Sequence, residues 1–158
     1  MFGREFVLEK IRKIADYQFG KGIGEALFPD NVEVVFSRRT GRIKYVYLDG
    51  ELLAALNPLT GLFTLTLKGA RRVFEAMEPK RLWVKVSDEA ASFVEEGSDV
   101  FAKYVVDADP EIRPGEEVII INNNGEVIAV GKSVLSGMEM KFFSRGVAVK
   151  VRRGGGEK

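Results

Sequence analysis

The stretch Gly97-Ser98-Asp99-Val100-Phe101-Ala102-Lys103-Tyr104-Val105 decides how the second half of this chain folds. Before it, Leu82, Val84 and Val86 alternate with Trp83 and Lys85, the period-two pattern of a half-buried strand. Ser87 and Asp88 offer helix N-caps, Asp88 and Glu89 suit the positive end of a helix, and Ala90, Ala91, Phe93 and Val94 supply a short apolar face. Gly97 stands where a helix C-terminal glycine belongs, so the chain is expected to re-extend over 100–106. Further on, 118–121 and 127–130 read as strands around a turn at Asn124-Gly125, and Val147-Ala148-Val149-Lys150-Val151 reads as a closing strand.

The first half has a different grammar. Val7, Ile11, Ile14, Ala15 and Phe19 fall at three- and four-residue spacings, which predicts an amphipathic helix over 5–19. Gly20-Lys21-Gly22-Ile23-Gly24 interrupts it. These glycines lack a preceding strand and the spacing of a phosphate-binding loop, so they read as a flexible joint between two helical pieces. Residues 32–67 alternate in the manner of four strands, punctuated by Thr40-Gly41, Asp49-Gly50 and Pro58-Leu59-Thr60-Gly61. Connections this short cannot cross over, so the strands should neighbour each other in chain order. Ala70, Val73, Phe74 and Met77 form the stripe of a second helix over 68–77, and Pro79 ends it. The expected fold is α+β. A four-stranded antiparallel meander with flanking helices occupies 1–79, a mostly-β pseudo-barrel occupies 80–153, and a flexible tail occupies 154–158.

Composition excludes several chemistries. Cysteine and histidine are both absent, which removes the usual zinc sites, thiol nucleophiles and histidine bases. No cofactor or metal is expected. The carboxylate pair Asp107 and Asp109 lies in a stretch rich in Asp, Pro and Gly and reads as a turn, not as an acid/base pair. No run approaches the roughly 20 apolar residues needed to span a bilayer, and the mixed charges at the N-terminus are unlike a signal peptide. No membrane association is expected, and the placement is cytoplasmic. A single glutamine beside 24 basic and 23 acidic side chains leans toward a thermophile-like surface. The net charge of +1 hides an asymmetry. Residues 1–80 hold 13 basic and 10 acidic side chains, 81–126 hold 4 and 11, and 127–158 hold 7 and 2.

Strand, short helix, glycine loop, strand, hairpin and closing strand, ending Arg145-Gly146-Val147-Ala148-Val149-Lys150-Val151, resemble the PUA domain, a small RNA-binding pseudo-barrel, over 81–153. Many PUA domains carry a small glycine-containing step where this chain has Lys103-Tyr104-Val105. In the first half, Ala15-Asp16-Tyr17-Gln18-Phe19-Gly20, Leu27-Phe28-Pro29, Thr40-Gly41-Arg42-Ile43, Gly61-Leu62-Phe63 and Gly69-Ala70 resemble the module preceding the PUA domain in archaeal tRNA-guanine transglycosylases, the archaeosine-forming enzymes. That resemblance implies the RNA-holding modules without the catalytic barrel, and therefore no enzymatic activity of the chain's own.

An RNA-docking edge needs cations for phosphate, backbone amides near a glycine loop and an aromatic for an unpaired base. Gly97, Ser98, Phe101 and Lys103 fit that description near the organising stretch. Arg113, Lys132, Lys141, Arg145 and Arg152 are candidates to complete a basic surface, and Arg71 and Arg72 to extend it along the first module. The expected partner is RNA, tRNA above all, gripped by the chain alone or on behalf of a separately encoded tRNA-modifying enzyme. The alternative is a protein-interaction adaptor that keeps the fold without binding RNA, suggested by the acidic stretch 81–126.

Overall fold

Helix-period and strand-period segments separate along the chain as the sequence predicts. The structure, a computed structural model, describes residues 3–156, and it divides into two units, Met1–Glu78 and Pro79–Lys158.

In the first unit, α1 (Arg4–Phe19) and α2 (Ile23–Leu27) precede β1 (Glu33–Phe36), β2 (Ile43–Leu48), β3 (Glu51–Leu56), β4 (Phe63–Leu65) and α3 (Leu67–Ala76). The strands form an antiparallel sheet in chain order, the only order such short turns allow. At Asp49-Gly50 both residues have positive φ, 52° and 81°, the geometry of a type I′ hairpin. Val46 and Leu48 on β2 and Phe63 and Leu65 on β4 are buried at alternate positions, and Ile11, Ala15 and Phe19 of α1 complete that core.

The glycine joint is a packed corner instead of a flexible one. A Cβ on Gly24 would lie 2.2 Å from the Arg12 carbonyl oxygen, so only glycine lets the two helices approach. The Gly24 N–H also donates to Asp16 Oδ1 at 2.6 Å. Close approach, not freedom, is the reason for the residue here.

The second unit runs β5 (Trp83–Val86), α4 (Asp88–Glu95), β6 (Val100–Phe101), one 3-10 turn (Ala102–Tyr104), β7 (Val105–Ala108), β8 (Glu117–Ile121), β9 (Val127–Ser133), α5 (Gly137–Phe142) and β10 (Val147–Gly154). The strand order is β6-β10-β9-β8-β5-β7, antiparallel except where β5 meets β8. The result is a nearly closed, barrel-like mixed sheet. Val84, Val86, Val118, Ile120, Ala129, Val130, Ala148 and Val149 fill it with essentially no exposure. Burying each of the valine and isoleucine side chains is worth about 1.5–3 kcal/mol.

Three details differ from the sequence reading. The single strand expected over 100–106 is broken by the 3-10 turn, because Ala102 N–H donates to Gly146 O while Tyr104 O accepts from Ser87 N–H, and one straight strand cannot serve both neighbours. Helix α5 was not anticipated; Ser136 and Glu139 form a capping box at its start. The tail expected from residue 154 is tied down. Gly154 is buried at the end of β10, Gly155 N–H donates to Ile128 O, and Gly156 N–H donates to Glu95 O. Glu157 and Lys158 lie outside the described residues.

Candidate nucleic-acid interface

The organising stretch is built around a helix end. After α4, Gly97 N–H donates to Val94 O and Ser98 N–H donates to Phe93 O, both at 3.0 Å, the paired bonds of a Schellman motif. Gly97 has φ 105°, a conformation that an L side chain rarely adopts. The motif turns the chain toward β6, and Asp99 fastens the turn by accepting the Val151 N–H at 2.9 Å. Asp99, absent from the sequence-level candidates, thus positions the loop against β10.

β6 lies at one edge of the sheet beside β10, with Phe101 across from Val147 and Val100 across from Val149. The Ala102–Gly146 bond, 2.9 Å, brings Arg145 beside Phe101 and Lys103. Phe101 is 44% exposed, so it belongs to the surface and not to the core. Lys103 is exposed and stands 5.0 Å from the Tyr104 ring centroid, within cation–π range. Arg145 is exposed at the turn before β10. Gly97, Ser98, Phe101, Lys103 and Arg145 therefore share one edge. Counted along β10 from residue 147 to 151, that edge runs about 15 Å at the usual rise per strand residue.

A second group forms on the outer side of the central strands. Lys132 on β9 faces Lys150 on β10 and Glu117 on β8 in register. Like charges directly opposite on a sheet repel, and the nearby carboxylate offsets this. Arg113 is exposed, and its carbonyl accepts from Ser133 Oγ at 2.6 Å, next to Lys132. Arg152 grips the buried Glu117 carboxylate through both guanidinium nitrogens, so its charge is matched within the fold. Lys150 was not singled out from the sequence, although the alternation of the closing strand places it outward.

Two of the three other candidates have structural partners. Lys141 Nζ lies 3.1 Å from Asp107 Oδ1. Arg72 Nε donates to the Ala26 carbonyl at 3.0 Å, joining α3 to α2 within the first unit. Arg71, on α3 of that unit, is exposed. Part of the acidic stretch is likewise engaged: Asp99, Asp109 and Glu116 accept backbone N–H groups, Glu126 accepts from the Asn122 side-chain amide, and Asp107 and Glu117 hold cations. Among the described residues no group of acidic, cysteine or histidine side chains could hold a metal ion, and no helix is long and apolar enough to cross a membrane.

The Lys141 hydrogen bond, aided by the Ala108 N–H, holds the Asp107 carboxyl below its ordinary value. A carboxyl whose folded pKa is depressed stabilises the protein above its unfolded pKa of about 3.9, and that contribution is lost as pH falls through the folded value. Both partners are about half exposed, so the effect is small. Urea melts of the parent and of Asp107→Asn should therefore differ slightly at pH 7, and the difference should shrink as pH falls below about 3.9 and disappear once the folded-state carboxyl is protonated.

Comparison with known proteins follows the same division. Residues 9–80 match the family model of the patch-forming domain C2 of tRNA-guanine transglycosylase, and residues 83–155 match that of the PUA domain. The second half of the chain carries a PUA domain. The chain is 46% identical over 155 residues to a tRNA-guanine(15) transglycosylase of Pyrococcus furiosus, covering 98% of this chain and 26% of that protein. The enzyme of the same name from Thermoplasma volcanium is 45% identical over 151 residues, covering 96% and 24%. The chain thus spans about a quarter of the length of the curated relatives it matches, and it resembles their C-terminal part. A hypothetical protein of Pyrococcus horikoshii shares its fold with a TM-score of 0.73 at 23% identity, covering 97% of this chain and 92% of that one. A conserved PUA domain protein from Thermoplasma acidophilum does so with 0.68 at 19%, covering 99% and 93%. The PUA domain and the likeness to the transglycosylases tie the chain to RNA-related binding.

Proposed function

We propose that this protein is a non-catalytic, cytoplasmic RNA-binding module that grips tRNA, or another structured RNA of similar shape, for a separately encoded RNA-modifying enzyme. The observation that carries the reading is the β6 edge, where an exposed phenylalanine is followed by two exposed cations, after a glycine turn shaped by the Schellman motif. Cations meet phosphates and an exposed ring stacks on an unpaired base, whereas the Gly97 and Ser98 amides are spent on the helix end and serve only to shape the edge. Lys132, Lys150 and Arg113 offer a second phosphate contact on the barrel's outer strands. The relatives' names support tRNA as the RNA, and the match to only their C-terminal part supports a holding role without chemistry.

Six of the eleven carboxylates of the acidic stretch that suggested an adaptor are engaged in internal hydrogen bonds and ion pairs, which lowers its charge as a surface and supports the RNA reading. Filter-binding titration of folded tRNA at several salt concentrations tests it. The logarithm of the affinity should fall linearly with the logarithm of salt, with a slope near −3 if about four phosphates are neutralised. Binding that does not weaken as salt rises, or no binding at low salt, overturns the proposal.

A further inference from the structure

The two edges of the first unit's sheet are finished differently. At β4, the side chain of Gln18 closes the edge: its Nε2 donates to Phe63 O and its Oε1 accepts from Phe63 N–H, both at 2.8 Å. At the other edge β1 pairs with β2 alone, and among the described residues 33–36 have no other hydrogen-bond partner. An open row of backbone donors and acceptors is a template for another strand, which proteins usually blunt. Here the open strand is also apolar, with Val35 41% and Phe36 45% exposed.

A hollow runs beside this edge. Val34 and Phe36, two residues apart and so on one face of β1, line a space of about 200 Å³ with Val7 and Leu8 of α1. It continues past Phe36 into a space of about 380 Å³ floored by Ile43 and Leu56. Lys10 and Arg42 border the larger space, and Arg38 and Arg39 are exposed at the adjoining hairpin. The carboxylates nearby are Glu33 on β1 and Glu5 and Glu9 on α1, and Glu9 is already paired with Lys13 at 2.9 Å.

We propose that β1 and this hollow form a docking site for an extended segment of a partner protein, apolar at alternate positions and flanked by carboxylates. The segment adds as a fifth strand beside β1. Its alternate side chains then fall into the hollow under α1, as the two-residue period of a strand requires. Its acidic flank meets Arg38, Arg39, Arg42 and Lys10. An aliphatic floor next to alternating N–H and C=O groups matches a peptide backbone and not a phosphodiester, which lacks donors. The site lies in a different unit from the proposed RNA edge and does not depend on that reading.

The probe is a fluorescein-labelled peptide with a Val-Thr-Val-Thr-Val centre and Asp-Glu flanks, titrated into the full chain and followed by anisotropy. Saturable binding should appear and weaken about tenfold or more with Phe36→Glu, whose circular dichroism should match the parent because Phe36 is exposed. N-methylating alternate amides of the peptide should weaken it by a similar factor, a readout that needs no protein variant, and hydrogen exchange of the β1 amides should slow on binding. No saturation up to about 1 mM peptide overturns the proposal, as does binding indifferent to N-methylation. A dimer of the chain that Phe36→Glu dissolves, or displacement of the peptide by a single-stranded RNA oligomer, assigns the surface to another occupant and overturns it as well.

Discussion

Replacing Lys103 and Arg145 together by glutamate is expected to weaken binding of folded tRNA by about 30-fold or more at 0.1 M salt and to flatten the salt dependence by about two slope units. The two side chains stand on either side of the Ala102–Gly146 hydrogen bond, so a phosphate reaching one is close to the other. Losing two phosphate contacts and adding two repulsive charges amounts to roughly 2–3 kcal/mol, which converts to that range of affinity. Both side chains are exposed, so the melting temperature should stay within a degree or two of the parent. The same pair of changes on the first unit, at Arg38 and Arg39, is the control. If the control weakens binding as much as the β6-edge pair does, the interface has been placed on the wrong unit. Phe101→Ala provides a separate reading of the same edge. Loss of a stacked base costs about 1–3 kcal/mol, whereas Phe101→Tyr, which keeps the ring, should restore most of it.

The second large effect concerns stability. Asp109→Ala should destabilise the second unit by about 3 kcal/mol, a fall in melting temperature of roughly 10–25 °C for a unit of this size. Asp109 is buried, with Oδ2 accepting the Leu82 N–H at 2.7 Å and Oδ1 accepting the Glu111 N–H at 3.0 Å. Leu82 has φ 58°, a left-handed conformation that costs a leucine about 1–2 kcal/mol. That conformation persists because the residue is held on both sides: its N–H by Asp109 and its carbonyl by Ile119 N–H at 2.8 Å. Alanine leaves two N–H groups unpaired in a buried place and releases the constraint on Leu82. Asp109→Asn, which keeps one oxygen, should recover the loss in part. Thermal unfolding of the three proteins by circular dichroism reads the order directly. A change below about 1 kcal/mol for Asp109→Ala would mean that water reaches these amides.

Much of the fold is legible along the chain because periodicity and short turns mark its elements locally. The meander shows itself through alternation and short turns, and a two-residue turn leaves no freedom in strand order. The Gly97 helix end shows itself because only glycine tolerates its φ. The elements that escaped are those whose signal is weak or whose partner is remote. Helix α5 spans only six residues and has too short a pattern for periodicity, although Ser136 with Glu139 three positions later is the capping signature that marks it. The break at residues 102–104 answers to Ser87 and Gly146, which nothing near Lys103 in the sequence announces. Asp109 reads as turn chemistry from its neighbours, and only its bond to Leu82, 27 residues earlier, shows it to be an anchor.

The charges divide in the same way. Sequence counts them but cannot pair them, since pairing depends on which strands lie side by side. Thus Arg152, Lys141 and Arg72 look equivalent to Lys103 and Arg145 on paper, yet the first three have partners: Glu117, Asp107 and the Ala26 carbonyl. Sequence by itself determined that this chain has two modules, that neither carries histidine or cysteine chemistry, and that the second turns at Gly97 into an RNA-domain-like sheet. Periodicity, composition and backbone sterics act over a few residues, and those residues are adjacent in the chain. Only the tertiary structure decided which cations stay free on the β6 edge and which sheet edge Gln18 closes while β1 stays open, because hydrogen-bond and ion-pair partners are brought together by strand pairing across tens of residues.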